Sequence, residues 1–154
     1  MKAIVLSCDA YHVFAHHMIV QYMNKWPNNP FVFRVPYNTE YPHQLKADLK
    51  DKVELVHTDQ SIKNTVLTLL DGLDKNEWIF WSIDDKYIRD ILVKPVENIL
   101  QWLPSIKDER IAGIAFARSR TWRKRKFLRM HDSIVSPTGE HFIGRANYNH
   151  IWYH

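Results

Sequence analysis

Asp84 and Asp85 stand side by side directly after Trp78-Ile79-Phe80-Trp81-Ser82-Ile83, an aromatic and β-branched run that reads as a buried strand. Two adjacent carboxylates at the mouth of such a strand are costly to desolvate unless something compensates them. A hard divalent cation does this well, because Mg²⁺ or Mn²⁺ prefers carboxylate oxygen and shares its shell with substrate phosphates. The competing reading is a plain strand-ending turn, where Asp is common. Lys86 follows at once, and its ammonium can pair with Asp85 or replace the metal.

Ser7-Cys8-Asp9-Ala10-Tyr11 and Pro36-Tyr37-Asn38 are two further polar clusters that follow apolar runs. In an open parallel sheet all three collect beyond the carboxyl ends of the strands, where ligands bind. Cys8 is the single cysteine, so no internal disulfide is possible and a reducing, cytoplasmic setting is expected. A small side chain packed at a strand end explains Cys8 more simply than a nucleophile does. Glycine occurs only at 72, 113, 139 and 144, with no Gly-x-Gly-x-x-Gly after the first strand and no phosphate-binding loop. That argues against a Rossmann dehydrogenase or a P-loop NTPase. Any phosphate must be neutralised by a metal or by Lys and Arg.

Seven basic residues and no acid fall between Arg118 and Arg129; without them the formal charge of +4 becomes −3. The chain thus carries a local basic patch on a mildly acidic body. Trp122 and Phe127 lie within it, and cations mixed with aromatics suit nucleic acid. A donor diphosphate, an anionic acceptor or an acidic membrane surface would use the same groups, and a solvated loop would need none of them. Asp132 and Glu140 are the only carboxylates after Arg110, which makes them the bases available late in the chain. His131 beside Asp132 has the make-up of an oriented imidazole. His16-His17 lacks a second ligand pair at zinc spacing.

The elements that must position these groups alternate in type. Lys2-Ser7 is a nearly continuous apolar run, as in a strand buried on both faces. Val13-Asn24 has helical spacing, stopped by Pro27; Phe31-Arg34 is a second strand closed by Pro36. A polar stretch leads to a third strand, Val53-His57. Asp59 or Ser61 then caps a helix with Ile62, Val66, Leu69 and Leu70 on its apolar face, ending near Gly72. After Trp78-Ile83, a helix over Val96-Leu103 starts at Pro95, and Ile111-Phe116 is a buried strand. A turn at Ser136-Gly139 and a strand at Glu140-Gly144 follow. The pattern predicts an α/β fold, with a mainly parallel sheet and helices on both faces. No repeat or linker breaks the 154 residues, a length that suits one domain, and no apolar run is long enough to span a membrane.

A strand with a Ser/Asp exit, a helix ending near Trp26-Pro27, a second strand, a helix, and then Glu77-x-Ile79 running to Asp84-Asp85 resembles the GT-A type nucleotide-sugar glycosyltransferases. The resemblance covers about residues 1–116. It implies Mn²⁺ or Mg²⁺ on Asp85, held against the diphosphate of a sugar donor, with Asp84 near the ribose or first sugar hydroxyls. Ser7, Asp9 and Tyr11 would lie near the base, and Lys63 would approach from the helix. The motif is x-Asp-Asp, since position 83 is Ile. The family continues well past this length, so an acceptor part that is short or missing is expected. Sugar transfer is therefore the leading expectation. A non-catalytic nucleic-acid module using Arg118-Arg129 is the alternative, and a protein-interaction scaffold is a third.

Overall fold

The computed structural model describes residues 1–107, 133–135 and 142–144. The chain divides into two compact units, Met1–Ile91 and Leu92–His154.

The first unit is a four-stranded sheet of β1 (Lys2–Leu6), β2 (Val32–Tyr37), β3 (Val53–His57) and β4 (Phe80–Ile83). Its order is β3-β2-β1-β4, and every pairing is parallel. Ala3, Ile4 and Val5 are fully buried at its centre, as the apolar N-terminal run predicts. Helices α1 (His12–Lys25), α2 (His43–Leu49) and α3 (Ile62–Leu70) connect the strands. Right-handed crossovers put α1 and α2 on one face, because β1, β2 and β3 are laid down in one direction. The return to β4 puts α3 on the other. Side-chain contacts agree. Tyr22 of α1 packs on the rings of Phe33 and Phe80, at 5.6 and 5.7 Å between centroids, and α1 touches α2. Arg34, one residue further along β2 and so on the opposite face, donates to the carbonyls of Leu69 and Asp71 at the end of α3.

Several expectations need correction. β2 does not end before Pro36 but runs through it to Tyr37. The pairing of β2 with β1 stops at Ile4↔Arg34, so Pro36 sits where only β3 is alongside, and the missing N–H breaks no ladder on the other flank. α2 was not foreseen. It is a seven-residue helix with only Leu45 and Leu49 buried, too short a pattern to stand out in a polar stretch. On α3 the inward face is Thr65 and Leu69, while Ile62 is 78% exposed. Ser61 is its N-cap, and Gly72 takes a positive φ just beyond its end. β4 starts at Phe80 and is only half-buried, with Trp81 exposed. Among the described residues it hydrogen-bonds to β1 alone.

In the second unit, α4 (Val93–Trp102) begins three residues before the expected Val96, which leaves Pro95 in the first turn, where its missing N–H costs nothing. β5 (Ser133–Val135) and β6 (Phe142–Gly144) form an antiparallel pair. The strand expected at Ile111-Phe116, the Ser136-Gly139 turn and the Arg118-Arg129 segment lie outside the described residues. No helix among the described residues is long and apolar enough to cross a membrane.

Candidate functional site

The strand order runs outward from β1 through β2 to β3 on one side and restarts with β4 on the other. Such a reversal opens a crevice at the carboxyl ends of the two strands that flank it. Here those ends are Ser7-Cys8-Asp9 after β1 and Asp84-Asp85 after β4. The ladder holds them in step, since Leu6 pairs with Ile83 and the Asp84 N–H donates to the Leu6 carbonyl at 3.1 Å.

Asp84 is 8% exposed. Burial and the neighbouring Asp85 charge push its carboxyl above the usual carboxylate range, against the Ser7 hydroxyl, the Asp85 backbone N–H and His12, which favour the ionised form. Asp85 is open to solvent and, besides the adjacent Asp84, faces Lys86, with Nζ 3.7 Å from Oδ1. With both side chains more than half exposed, that pair is weak and leaves the Asp85 oxygens available.

Asp9 has a different task. Its carboxylate accepts the backbone N–H groups of Asn38 (2.8 Å), Thr39 (2.8 Å) and Glu40 (3.1 Å) and the Thr39 hydroxyl (2.7 Å). Burial alone would raise its pKa, but these bonds override it and hold the group far below the ordinary carboxylate range. Asp9 thus pins the loop after β2. His12, largely buried at the start of α1, joins the same assembly: Nε2 donates to the Pro36 carbonyl at 2.9 Å and lies 3.9 Å from Asp9 Oδ1. A carbonyl only accepts, so Nε2 carries the proton.

The pinned loop forms one wall of a cavity of about 170 Å³. Leu6, Ser7 and Cys8 line it from β1, Asn38 from the loop, and Gln60, Ile62 and Thr65 from the start of α3. The Asn38 amide is anchored by donating to the Thr58 and Asp59 carbonyls at 2.9 and 3.0 Å, and Thr65 Oγ1 donates to the Asp59 carbonyl at 2.8 Å. These bonds fix the mouth of the cavity. Ile62, misread as core, is exposed because it borders this opening.

Of the residues singled out in the sequence, Ser7 lines the cavity and also supports Asp84, so it joins the two halves of the site. Tyr11 is half-exposed and packs on Phe14 at 5.8 Å. Lys63 is exposed in the first turn of α3, next to the cavity-lining Ile62. Asp132 and Glu140 lie outside the described residues. His12 was missed: a histidine opening a helix carries no distinctive pattern, and only its place three residues after Asp9 hints at the contact.

Among the described residues no group of three or more His, Cys, Asp or Glu is gathered for a metal. Among the described residues a cation is therefore offered no more than pairs of such groups, of which Asp84-Asp85 is the one at a strand exit. That suits Mg²⁺ or Mn²⁺ bound by one or two carboxylates with phosphate oxygens completing the shell, and does not suit a metal held by protein alone. No family model, curated protein or solved structure matches the chain. The Met1–Ile91 unit is a small parallel-sheet α/β domain, Rossmannoid-like in architecture and consistent with a generic nucleotide-binding fold.

Proposed function

We propose that the Met1–Ile91 unit binds a nucleoside-diphosphate sugar together with a divalent cation, and that the protein transfers the sugar to an acceptor hydroxyl. The observation that carries this reading is a walled cavity at the exit of β1 beside a paired carboxylate at the exit of β4, with Ser7 lining the first and supporting Asp84 of the second. The absence of a glycine-rich phosphate loop from the sequence adds to it, since the diphosphate then needs a cation.

On this reading the base enters the cavity between Ser7-Cys8 and the start of α3, near Lys63, while Tyr11 packs on Phe14 of α1 outside the cavity lining. Asp85, the accessible carboxylate, is the metal ligand. Asp84, held rigidly by the ladder, orients ribose or sugar hydroxyls. Asp9 positions the loop that carries Asn38 and need not touch the ligand. A bound Mn²⁺ or Mg²⁺ would supply the positive charge that stabilises the departing diphosphate. The acceptor oxygen bonds to the anomeric carbon as the bond to the diphosphate breaks, and the diphosphate takes the electron pair. The acceptor proton goes to a carboxylate, a role for which the sequence alone offers Asp132 and Glu140, both outside the described residues.

Calorimetry with UDP and GDP, in Mn²⁺ and in EDTA, tests the binding step. Metal should raise nucleotide affinity about tenfold or more, a coupling of ordinary size. Asp85→Asn should abolish that gain without unfolding the protein, and Asp84→Asn should weaken nucleotide binding less. Equal affinity in EDTA and Mn²⁺ would remove the metal from the account. No affinity for either nucleotide under both conditions would overturn the donor-site reading.

A further inference from the structure

Helix α1 carries no Asp, Glu, Lys or Arg before Lys25, and the uncharged stretch begins at Ala10. Surface helices ordinarily turn charged residues outward, opposite an apolar face. Here the inward face is Ala15, Met18, Ile19 and Tyr22, while the outward one presents Val13 (69% exposed), Phe14 (43% exposed) and His17. Phe14 and His17 are neighbours three residues apart on the helix. Tyr87, two residues past Asp85 and also exposed, lays its ring against His17 at 5.1 Å, edge to face. Tyr11 extends the row by packing on Phe14. The result is a ridge of exposed rings without a formal charge, running along the α1 side of the crevice. The cavity lies on the α3 side; Ser7 links it to Asp84, and Tyr87 of the ridge follows Asp85 by two residues.

We propose that this ridge binds the acceptor, and that the acceptor presents a neutral pyranose ring there. The proposal rests on the donor-site reading above, because it places the second substrate beside the carboxylate pair that the donor uses. One face of a pyranose is made of C–H groups and is apolar, while its hydroxyls point outward. Aromatic rings cover the apolar face, and the Tyr87 hydroxyl and His17 nitrogens meet the hydroxyls. An exposed apolar patch rimmed by polar groups is the usual mark of a ligand surface. The lack of charge on α1 argues against a phosphorylated or acidic group at this position.

Saturation-transfer NMR on the full chain with cellobiose, methyl β-galactoside and methyl α-mannoside, at saturating UDP and Mn²⁺ and again without them, tests the ridge. Ring-face protons of at least one saccharide should receive saturation, and Phe14→Ala and Tyr87→Ala should each weaken that binding about tenfold. UDP affinity should stay unchanged in both variants. Leu67→Ala, which removes an exposed apolar side chain from α3, is the control and should leave saccharide binding intact. Absence of saccharide binding, or equal binding by the Phe14 and Tyr87 variants, overturns the proposal whatever UDP does. Self-association that Phe14→Ala disperses, with no saccharide effect, overturns it in favour of a contact between copies. Loss of UDP binding alone would instead count against the donor site, so the two failures are separable.

Discussion

Asp9 and Asp84 lie in the same crevice, yet their surroundings push them in opposite directions. Asp9 is stabilised as an anion, so its folded pKa lies below its unfolded value. It contributes stability above pH of about 4 that is lost as the pH falls through the folded value. Asp9→Asn keeps the shape but removes an acceptor, leaving Thr39 or Glu40 N–H groups unpaired. It should cost about 1–3 kcal/mol at pH 7, measured by urea unfolding, and flatten the acid limb of the stability curve. Asp84 is raised, so its contribution is present below the unfolded value and lost as the pH rises. At pH 7 the ionised group therefore costs stability. Asp84→Asn should raise Tm at pH 7, with the gain shrinking below pH of about 4, while nucleotide binding falls. A lower Tm in this variant would mean that Ser7 and His12 outweigh burial. The Asp pair was legible in the sequence because two carboxylates after an apolar run are unusual. Asp9's role was not legible, since its partners are backbone amides some thirty positions away.

At the scale of elements, what the sequence revealed depended on how much pattern each segment carries. β1 was found within a residue of its bounds because a buried parallel strand is a nearly continuous apolar run, and β3 was found at its bounds from its valines and leucine although it lies at the sheet edge with only Val53 buried. The same rule misjudged β4, where aromatic composition does not separate a strand covered on both faces from one whose Trp81 meets solvent. Arg34 shows a link that no local pattern announces. Its buried guanidinium caps the end of α3 through Leu69 and Asp71, and its Nε lies 3.2 Å from Glu54 on β3. Glu54, also bound to Lys2 at 2.6 Å, is held below its usual pKa by these cations in spite of partial burial. Arg34→Leu should cost on the order of 2–4 kcal/mol, because it strips the donor from two carbonyls and leaves Glu54 with less compensation. Thermal melting checks the loss, and hydrogen exchange should locate it at the C-terminal turn of α3. A neutral result would show that water replaces the guanidinium.

On the scale of the molecule, the alternation of strand and helix was enough to predict a parallel sheet, and chain direction alone then determined which strand ends meet. The core under α1, towards the amino ends of the strands, is aromatic, with Tyr22 among Phe31, Phe33 and Phe80, and burial pushes the Tyr22 hydroxyl up to about 12. A raised tyrosine favours the neutral folded form, so its contribution is full below pH of about 10 and lost as the pH rises through about 12. Absorbance titration should find one tyrosine that ionises only with alkaline unfolding. The cavity walls were not legible, because Asn38, Gln60 and Thr65 come from separate segments that only the fold brings together. The central claim is a site shared by nucleotide and metal at the β1–β4 crevice, and Mn²⁺ can report its own position. Amide NMR spectra with UDP or GDP and a trace of Mn²⁺ should show broadening at Ser7, Cys8, Asp84 and Asp85, weaker broadening near Ser61–Asn64, and sharp signals at Asn29 and Lys50–Val53 at the far end of the sheet. Broadening at the far end instead, or broadening at Asp84–Asp85 that the nucleotide does not strengthen, would contradict the account.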